Sequence, residues 1–313
     1  MIAGFAFVFI FRGFPVFKNV IMYRIAPAWS LTAEEVEARL QDNHFVECGA
    51  SQEKSVGWSE PRGEANGPLL EAVAGQWILK LMLETRALPA SVVNRKAQER
   101  VAQIEASTGR KPGKKETRDL KDDIRLELLP MAFTKQSSSR VWIDREANLL
   151  VTDAGSQAHA DELVTLLVQN LPGLALSLVN TQLSPSAAMA DWLVSQQAPQ
   201  SFSVDRECEL KAADESKAVV RYARHRLDTD EVRQHIEGGK MPTRLALTWN
   251  DRVSFVLTEG LQLKKLAFLE VVFDGASQGK DDGFDADVAI ATGELQKALP
   301  ALLEALGGEP PLA

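Results

Sequence analysis

The chain has 313 residues, of which 45% are hydrophobic and 25% charged, and its formal net charge is −8. Those proportions fit a globular protein with one large or two to three small domains and argue against a disordered or fibrous chain. Two cysteines, Cys48 and Cys208, are too few for a disulfide framework and fit a reducing cytoplasm, and His44 with Cys48 has no second pair to complete a metal site.

Met1 to Phe11 is an apolar run followed by Arg12 and closed by Pro15. It falls short of the roughly 20 residues that span a bilayer, and no basic residue precedes it as a secretory signal requires. Residues 1–15 are therefore expected to be an extension outside the fold, such as translation from an upstream start codon gives. Val16 to Ile25 alternates as a first strand. A helix follows from Leu31 to Gln41, with Thr32 and Glu35 spaced as a capping box. Ser51 to Pro68 is rich in Gly, Pro and Ser and reads as loop, and Trp77 to Leu83 as a buried strand.

Arg86 to Arg140 then departs from the rest of the chain. It holds thirteen Lys/Arg against seven Asp/Glu, a net of +6 that leaves −14 on the remainder. Charge segregated in this way sets up a local positive field, and a polyanion such as nucleic acid is the matching partner. From Pro89 onward Val92, Val93, Ala97, Val101 and Ile104 recur at helical spacing. Gly109, Pro112 and Gly113 break the pattern, Leu120, Ile124, Leu128 and Leu129 resume it, and Pro130 stops it. The expectation is a helical hairpin with one apolar seam and one basic face. Its candidate DNA-contacting residues are Arg95, Lys96, Arg100, Arg110, Lys111, Lys114, Lys115, Arg118, Lys121 and Arg125, with Lys135 just beyond. A solvated hairpin whose cations merely balance Glu99, Glu105, Asp119 and Asp122 fits the same pattern.

Beyond the hairpin, Arg140 to Asp144 and Leu149 to Asp153 flank a polar turn and read as a β-hairpin. Helix 157–170, strand 174–179 and helix 186–196 follow. Ser203 to Leu210 and Ala218 to Leu227 read as strands, Thr229 to Glu237 as a helix, and Thr243 to Trp249, Val253 to Thr258 and Leu263 to Phe268 as strands. Phe284 to Leu306 reads as one helix bent near Gly293 or Pro300. Strands and helices mix without a βαβ rhythm, so the fold class is α+β with several subdomains. The expected parts are 1–15, 16–85, 86–140, 141–200 and 201–313, the last β-rich with a C-terminal helix.

No nucleophile elbow, Walker A sequence or dinucleotide fingerprint occurs, and Gly238-Gly239-Lys240 reads as a turn. Asp281, Asp282, Asp285 and Asp287 offer carboxylates for a divalent cation, or serve only to charge and cap a helix N-terminus. No catalytic residue, metal site or cofactor is expected. A second basic cluster comprises Arg221, Arg224 and Arg226 with Lys217, and has Tyr222 and His225 among them. An aromatic between cations can stack on bases, whereas a charged strand edge that blocks aggregation has the same composition.

Several motifs in order carry a family resemblance. They are Phe17-Lys18-Asn19 before Tyr23-Arg24, Leu128-Leu129-Pro130 with Ala132-Phe133, and Trp142-Ile143-Asp144. His235-Ile236-Glu237 with Gly239-Lys240, Leu245-Ala246-Leu247 with Trp249, Phe284-Asp285-Ala286-Asp287 and Thr292-Gly293-Glu294-Leu295 complete the set. From about Val16 to Gly308 the chain resembles the bacterial recombination-associated RdgC family. The resemblance implies a horseshoe-shaped subunit, with 16–85 and 141–200 as its central part, 86–140 as its tip and 201–313 as its base. It further implies a homodimeric ring around double-stranded DNA, bound with little sequence preference in the cytoplasm at the nucleoid, that restrains loading of the RecA recombinase. No membrane partner is implied. The family often has a basic residue before Ala132-Phe133, where this chain has Met131. Phe133, an aromatic past a helix stop, is the candidate dimer contact, since in a two-fold dimer it meets its own copy; packing beneath the next strand is the alternative. Two other functions stay open: a metal-dependent DNA-processing enzyme using Asp281, Asp285 and Asp287, and an inhibitor acting by contact with the recombinase.

Overall fold

The computed structural model describes residues 16–273 and 283–310. The architecture is α+β, with seven helices and antiparallel ladders among the described residues. The chain divides into two units. The first takes the described parts of Met1–Leu31, Glu71–Ile78 and Arg140–Ala313, and the second Thr32–Leu70 and Leu79–Ser139. The expected extension, 1–15, lies outside the described residues, as do Asp281 and Asp282.

The second unit opens on α1 (Ala33–Gln41). The Thr32 hydroxyl accepts the Glu35 amide and the Glu35 carboxylate accepts the Thr32 amide, the reciprocal cap that the sequence announces. Within the stretch expected to be loop, Lys54–Ser59 instead forms a strand, β2. Gly57 explains why its composition misleads. A Cβ there would lie 2.5 Å from the Phe45 Cα, so glycine lets residues 43–45 cross close beside the strand, where the Phe45 amide donates to the Trp58 carbonyl and the Trp58 amide to the Asn43 carbonyl. After β3 (Leu70–Val73), which falls in the first unit from Glu71 on, comes β4 (Gln76–Ala87), which belongs to the second unit from Leu79 and pairs with β2 from Lys54 opposite Thr85 to Ser59 opposite Lys80. Helices α2 (Ala90–Thr108) and α3 (Lys114–Leu128) follow, then a 3-10 turn at Leu129–Met131 and the strand β5 (Phe133–Asp144).

The first unit contains β1 (Ile21–Ile25), the end of β5, β6 (Leu149–Thr152) and β7 (Leu176–Leu178), with β6 between β5 and β1. Its helices are α4 (Gln157–Asn170), α5 (Pro185–Ser195), α6 (Asp230–Glu237) and α7 (Gly283–Ala305). A separate sheet runs in the order β12-β11-β10-β8-β9. Its strands are β8 (Phe202–Ala212), β9 (Val219–Ala223), β10 (Lys240–Trp249), β11 (Val253–Thr258) and β12 (Leu263–Phe268). Pro242 is tolerated in the central β10 because the register with β8 shifts between Pro242 and Arg244, where a ladder amide is dispensable. The core joins inward residues of this sheet, such as Leu245, Leu247 and Phe255, to the α7 stripe Val288, Ala291, Leu295, Ala298 and Leu302. Buried Glu294 on α7 is held by a forked pair from Arg252, with both N···O distances 2.7 Å.

Candidate nucleic-acid interface

The hairpin forms because its apolar residues fall on facing stripes. Val93 and Ala97 of α2 pack with Ile124 and Leu128 of α3, and Leu88, Val92 and Leu120 close the seam. Helix α2 ends at Gly109, whose φ of 67° is the left-handed conformation that glycine adopts without strain. The turn that follows is held by side chains. The Thr108 hydroxyl donates to the Ile104 carbonyl at 2.7 Å, and the Thr117 hydroxyl to the Gly113 carbonyl at 2.9 Å. Glu116 accepts the Gly113 amide at 2.8 Å and both terminal nitrogens of Arg110, at 3.2 and 2.7 Å.

The candidate cations sort by partner. Lys96 and Arg100 both point at Glu127 across the seam, at 3.9 and 3.6 Å, and Arg95 pairs with Glu99 at 4.0 Å. Arg110 is held by Glu116, and Arg125 by Asp122 at 3.1 Å. Among the described residues, Lys111, Lys114, Lys115, Arg118, Lys121 and Lys135 have no carboxylate within ion-pairing distance. Lys114, Arg118, Lys121 and Arg125 recur at i, i+4, i+7 and i+11, so at about 100° per residue they fall within an arc of about 60°. One flank of α3 thus carries a cationic stripe and the other carries Glu127, which neutralises α2. Lys135 lies exposed on β5.

Arg86, counted in the basic segment, has a structural role that its sequence context does not reveal. Its guanidinium donates to the carbonyls of Cys48, Gly49, Leu129 and Ala132 at 3.1 to 3.3 Å, tying the hairpin's base to the loop before β2. Phe133 does not pack under a strand within its own chain: it begins β5 and is 87% exposed, and Met131 nearby is 68% exposed.

The second cluster, in the first unit, is arranged differently. Arg221 stands opposite Glu209 in the β8–β9 register and donates to it at 2.6 Å. That bond, ahead of a contact from the Thr243 hydroxyl, holds the Glu209 carboxyl below its ordinary range despite partial burial. Arg226 forks onto Asp228, at 3.0 and 2.5 Å, and lowers that carboxyl likewise. Arg224 has no ion pair among the described residues and holds a φ of 56°. Tyr222 is not a stacking platform. Alternation along β9 turns it into the core, where its hydroxyl donates to Glu231 at 3.2 Å and is pushed up to about 12, by burial first and by that carboxylate second.

Of the acidic group, Asp285 and Asp287 lie in the first turns of α7, and burial raises the Asp287 carboxyl while Arg140 opposes the shift. Among the described residues, no three His, Cys, Asp or Glu side chains gather as a ligand set. No helix among them is long and apolar enough to cross a membrane.

The model of the family described as "Putative exonuclease, RdgC" matches residues 16–309. A protein of Dechloromonas aromatica named Recombination-associated protein RdgC is 44% identical over 299 residues, 94% of this chain and 98% of that protein. Proteins of the same name from Cupriavidus pinatubonensis and Bordetella pertussis are 46% and 43% identical over 296 residues, again 94% of this chain and 98% of theirs. With the match running from before β1 to beyond α7, the chain belongs to the RdgC family of recombination-associated proteins.

Proposed function

We propose that the chain binds double-stranded DNA without reading its sequence, and that the uncompensated cations of the helical hairpin carry the contact. The supporting observation is the stripe beginning at Lys114 on α3, with Lys111 and Lys115 at the turn, on a chain that is acidic overall. Ammonium and guanidinium groups on one helical flank match phosphates, which position a protein on the duplex and carry no sequence information. The finer reading is a homodimer that closes through Phe133 into a ring around the duplex. Occupying DNA in this way restrains loading of a RecA-type recombinase, in the cytoplasm at the nucleoid and without catalysis. Relatives named for recombination support that assignment.

The test is fluorescence anisotropy with unrelated duplexes across a salt series. Similar affinities are expected, with a log–log salt slope more negative than about −3 from released counterions. A strong preference for one sequence at moderate salt overturns the reading. The family description keeps an exonuclease reading alive. Incubation with linear and supercoiled DNA plus Mg²⁺ decides it, since an enzyme degrades or nicks and a clamp leaves both intact. Strand-exchange inhibition at rising DNA separates occlusion, which excess DNA relieves, from direct contact with the recombinase.

A further inference from the structure

A carboxylate beside lysines that face a polyanion is expected to weaken binding, so Glu116 is out of place on charge alone. Its geometry gives it another part. The turn from Gly109 to Gly113 contains two glycines, and glycine multiplies the conformations that must be given up when a loop becomes ordered. Glu116 closes that freedom at two points, at the Gly113 amide that starts α3 and at the Arg110 guanidinium midway round the turn. Arg110 cancels its charge locally, and the same contacts with Arg110 and then Gly113 keep the carboxyl below its ordinary range. Lys111, Lys114 and Lys115 surround this staple, exposed and without ion pairs among the described residues.

We infer that Glu116 is a positioning residue that fixes the hairpin turn, so that Lys111, Lys114 and Lys115 stand preformed as a phosphate-binding surface. The inference rests on the DNA-binding reading above. A preordered turn meets phosphate without losing loop entropy on binding. Arg110 then orders the surface through Glu116 and need not touch the phosphate itself.

The consequence has a sign opposite to that of simple electrostatics, and an acid on the same hairpin supplies the control. Glu105 is exposed and has no ion pair among the described residues. Glu105→Ala removes one negative charge and is expected to leave duplex affinity unchanged or tighter. Glu116→Ala removes the same charge and is expected to weaken it about three- to tenfold, the scale of losing one helix cap and the order it imposes. Backbone amide exchange over 109–115 should quicken in Glu116→Ala and not in Glu105→Ala. Glu116→Gln keeps an acceptor for the Gly113 amide and should fall between. Affinity of Glu116→Ala equal to or tighter than that of Glu105→Ala overturns the inference. If Glu116→Ala melts the hairpin, seen as fast exchange at Val93 and Ile124, Glu116→Gln decides against Glu105→Gln: weaker binding upholds the inference, and equal or tighter binding overturns it. A wild-type chain that fails to bind any duplex sinks the DNA reading instead, and exchange over 109–115 still reports whether Glu116 orders the turn.

Discussion

The hairpin α2–α3 and the strand end at β9 look alike as sequence, each a short stretch dense in Lys and Arg. As structures they differ in what has become of the charge. At β9, Arg221 and Arg226 lie against Glu209 and Asp228, so two of the three arginines are already neutralised. In the hairpin the pairing is lopsided. Glu127 and Glu99 take up the α2 cations, while Lys114, Arg118 and Lys121 on α3 keep theirs. A stretch of cations supplies field to a polyanion only to the extent that its own chain leaves the charge uncompensated. The contrast therefore ranks the two regions under the proposed function: the hairpin is expected to be the principal DNA contact and the β9 end a minor one.

The largest effect expected from that ranking is at the turn. Reversing Arg110, Lys111, Lys114 and Lys115 together to Glu should lower duplex affinity about a hundredfold at moderate salt and flatten the salt slope by about three, one for each lysine, with Arg110 acting through the order of the turn. Circular dichroism should stay that of the wild type, because all four side chains are exposed. Unchanged affinity would reduce the hairpin to a solvated element and erase the contrast with β9.

Next in size is Phe133, whose position at the end of the hairpin makes it the natural point of closure in the proposed ring. Phe133→Ser should leave the thermal midpoint nearly untouched, since an 87% exposed side chain contributes little to its own subunit. Aromatic anchors carry a few kcal/mol of an interface, so release from closed circular DNA after a salt challenge should quicken at least about tenfold. Linear DNA, from which a ring can slide, should show a smaller change, and sedimentation should report looser assembly. Equal retention on circles would remove Phe133 from the closure.

Arg86 marks the other limit of the comparison, a cation whose charge serves structure. Arg86→Gln strips hydrogen bonds from the carbonyls of Cys48, Gly49, Leu129 and Ala132. The expected cost is about 1–3 kcal/mol in denaturant unfolding. Duplex affinity should fall less than in the turn variant. A loss as large as that of the quadruple reversal would mean that Arg86 itself meets DNA.

What could be read in advance follows the range of the interactions. Local signals were legible: the Thr32–Glu35 cap, the breakers Gly109, Pro112 and Gly113, and the apolar spacing of α4, β11 and β12 all appear where chain-local physics puts them. β2 was not legible, because a Gly- and Ser-rich strand forms there only through β4 and the crossing at Gly57, both distant in sequence. The site divides in the same way. The cations were visible as residue types, but Glu127 reaches Lys96 from the other helix and Glu209 reaches Arg221 from the neighbouring strand. Two further signals lie in the sequence. The period of two along β9 points Tyr222 inward once Arg221 is taken as outward. Gly113 and Glu116 stand three apart, the spacing of a capping box, without the Ser or Thr that usually announces one.

The smallest predicted effect is the sharpest test of the ranking, because it separates counted charge from available charge. Replacing Arg221 and Arg226 together with Gln removes two formal charges, yet both already face carboxylates, so duplex affinity should change by no more than about twofold. Arg224→Gln alone, with no partner to neutralise it among the described residues, should cost as much or more. The converse is Asp228→Asn, which frees Arg226 without adding a cation. If the β9 end lies along the DNA path, that change should tighten binding about two- to threefold, and the gain should vanish in the Asp228→Asn, Arg226→Gln double variant. If it lies elsewhere, all four chains should bind as the wild type does. Anisotropy at one low salt concentration, where screening is weakest, resolves these small shifts. A tenfold loss from the Arg221 and Arg226 pair would show that their ion pairs open on binding, and the two regions would then have to be ranked as equals.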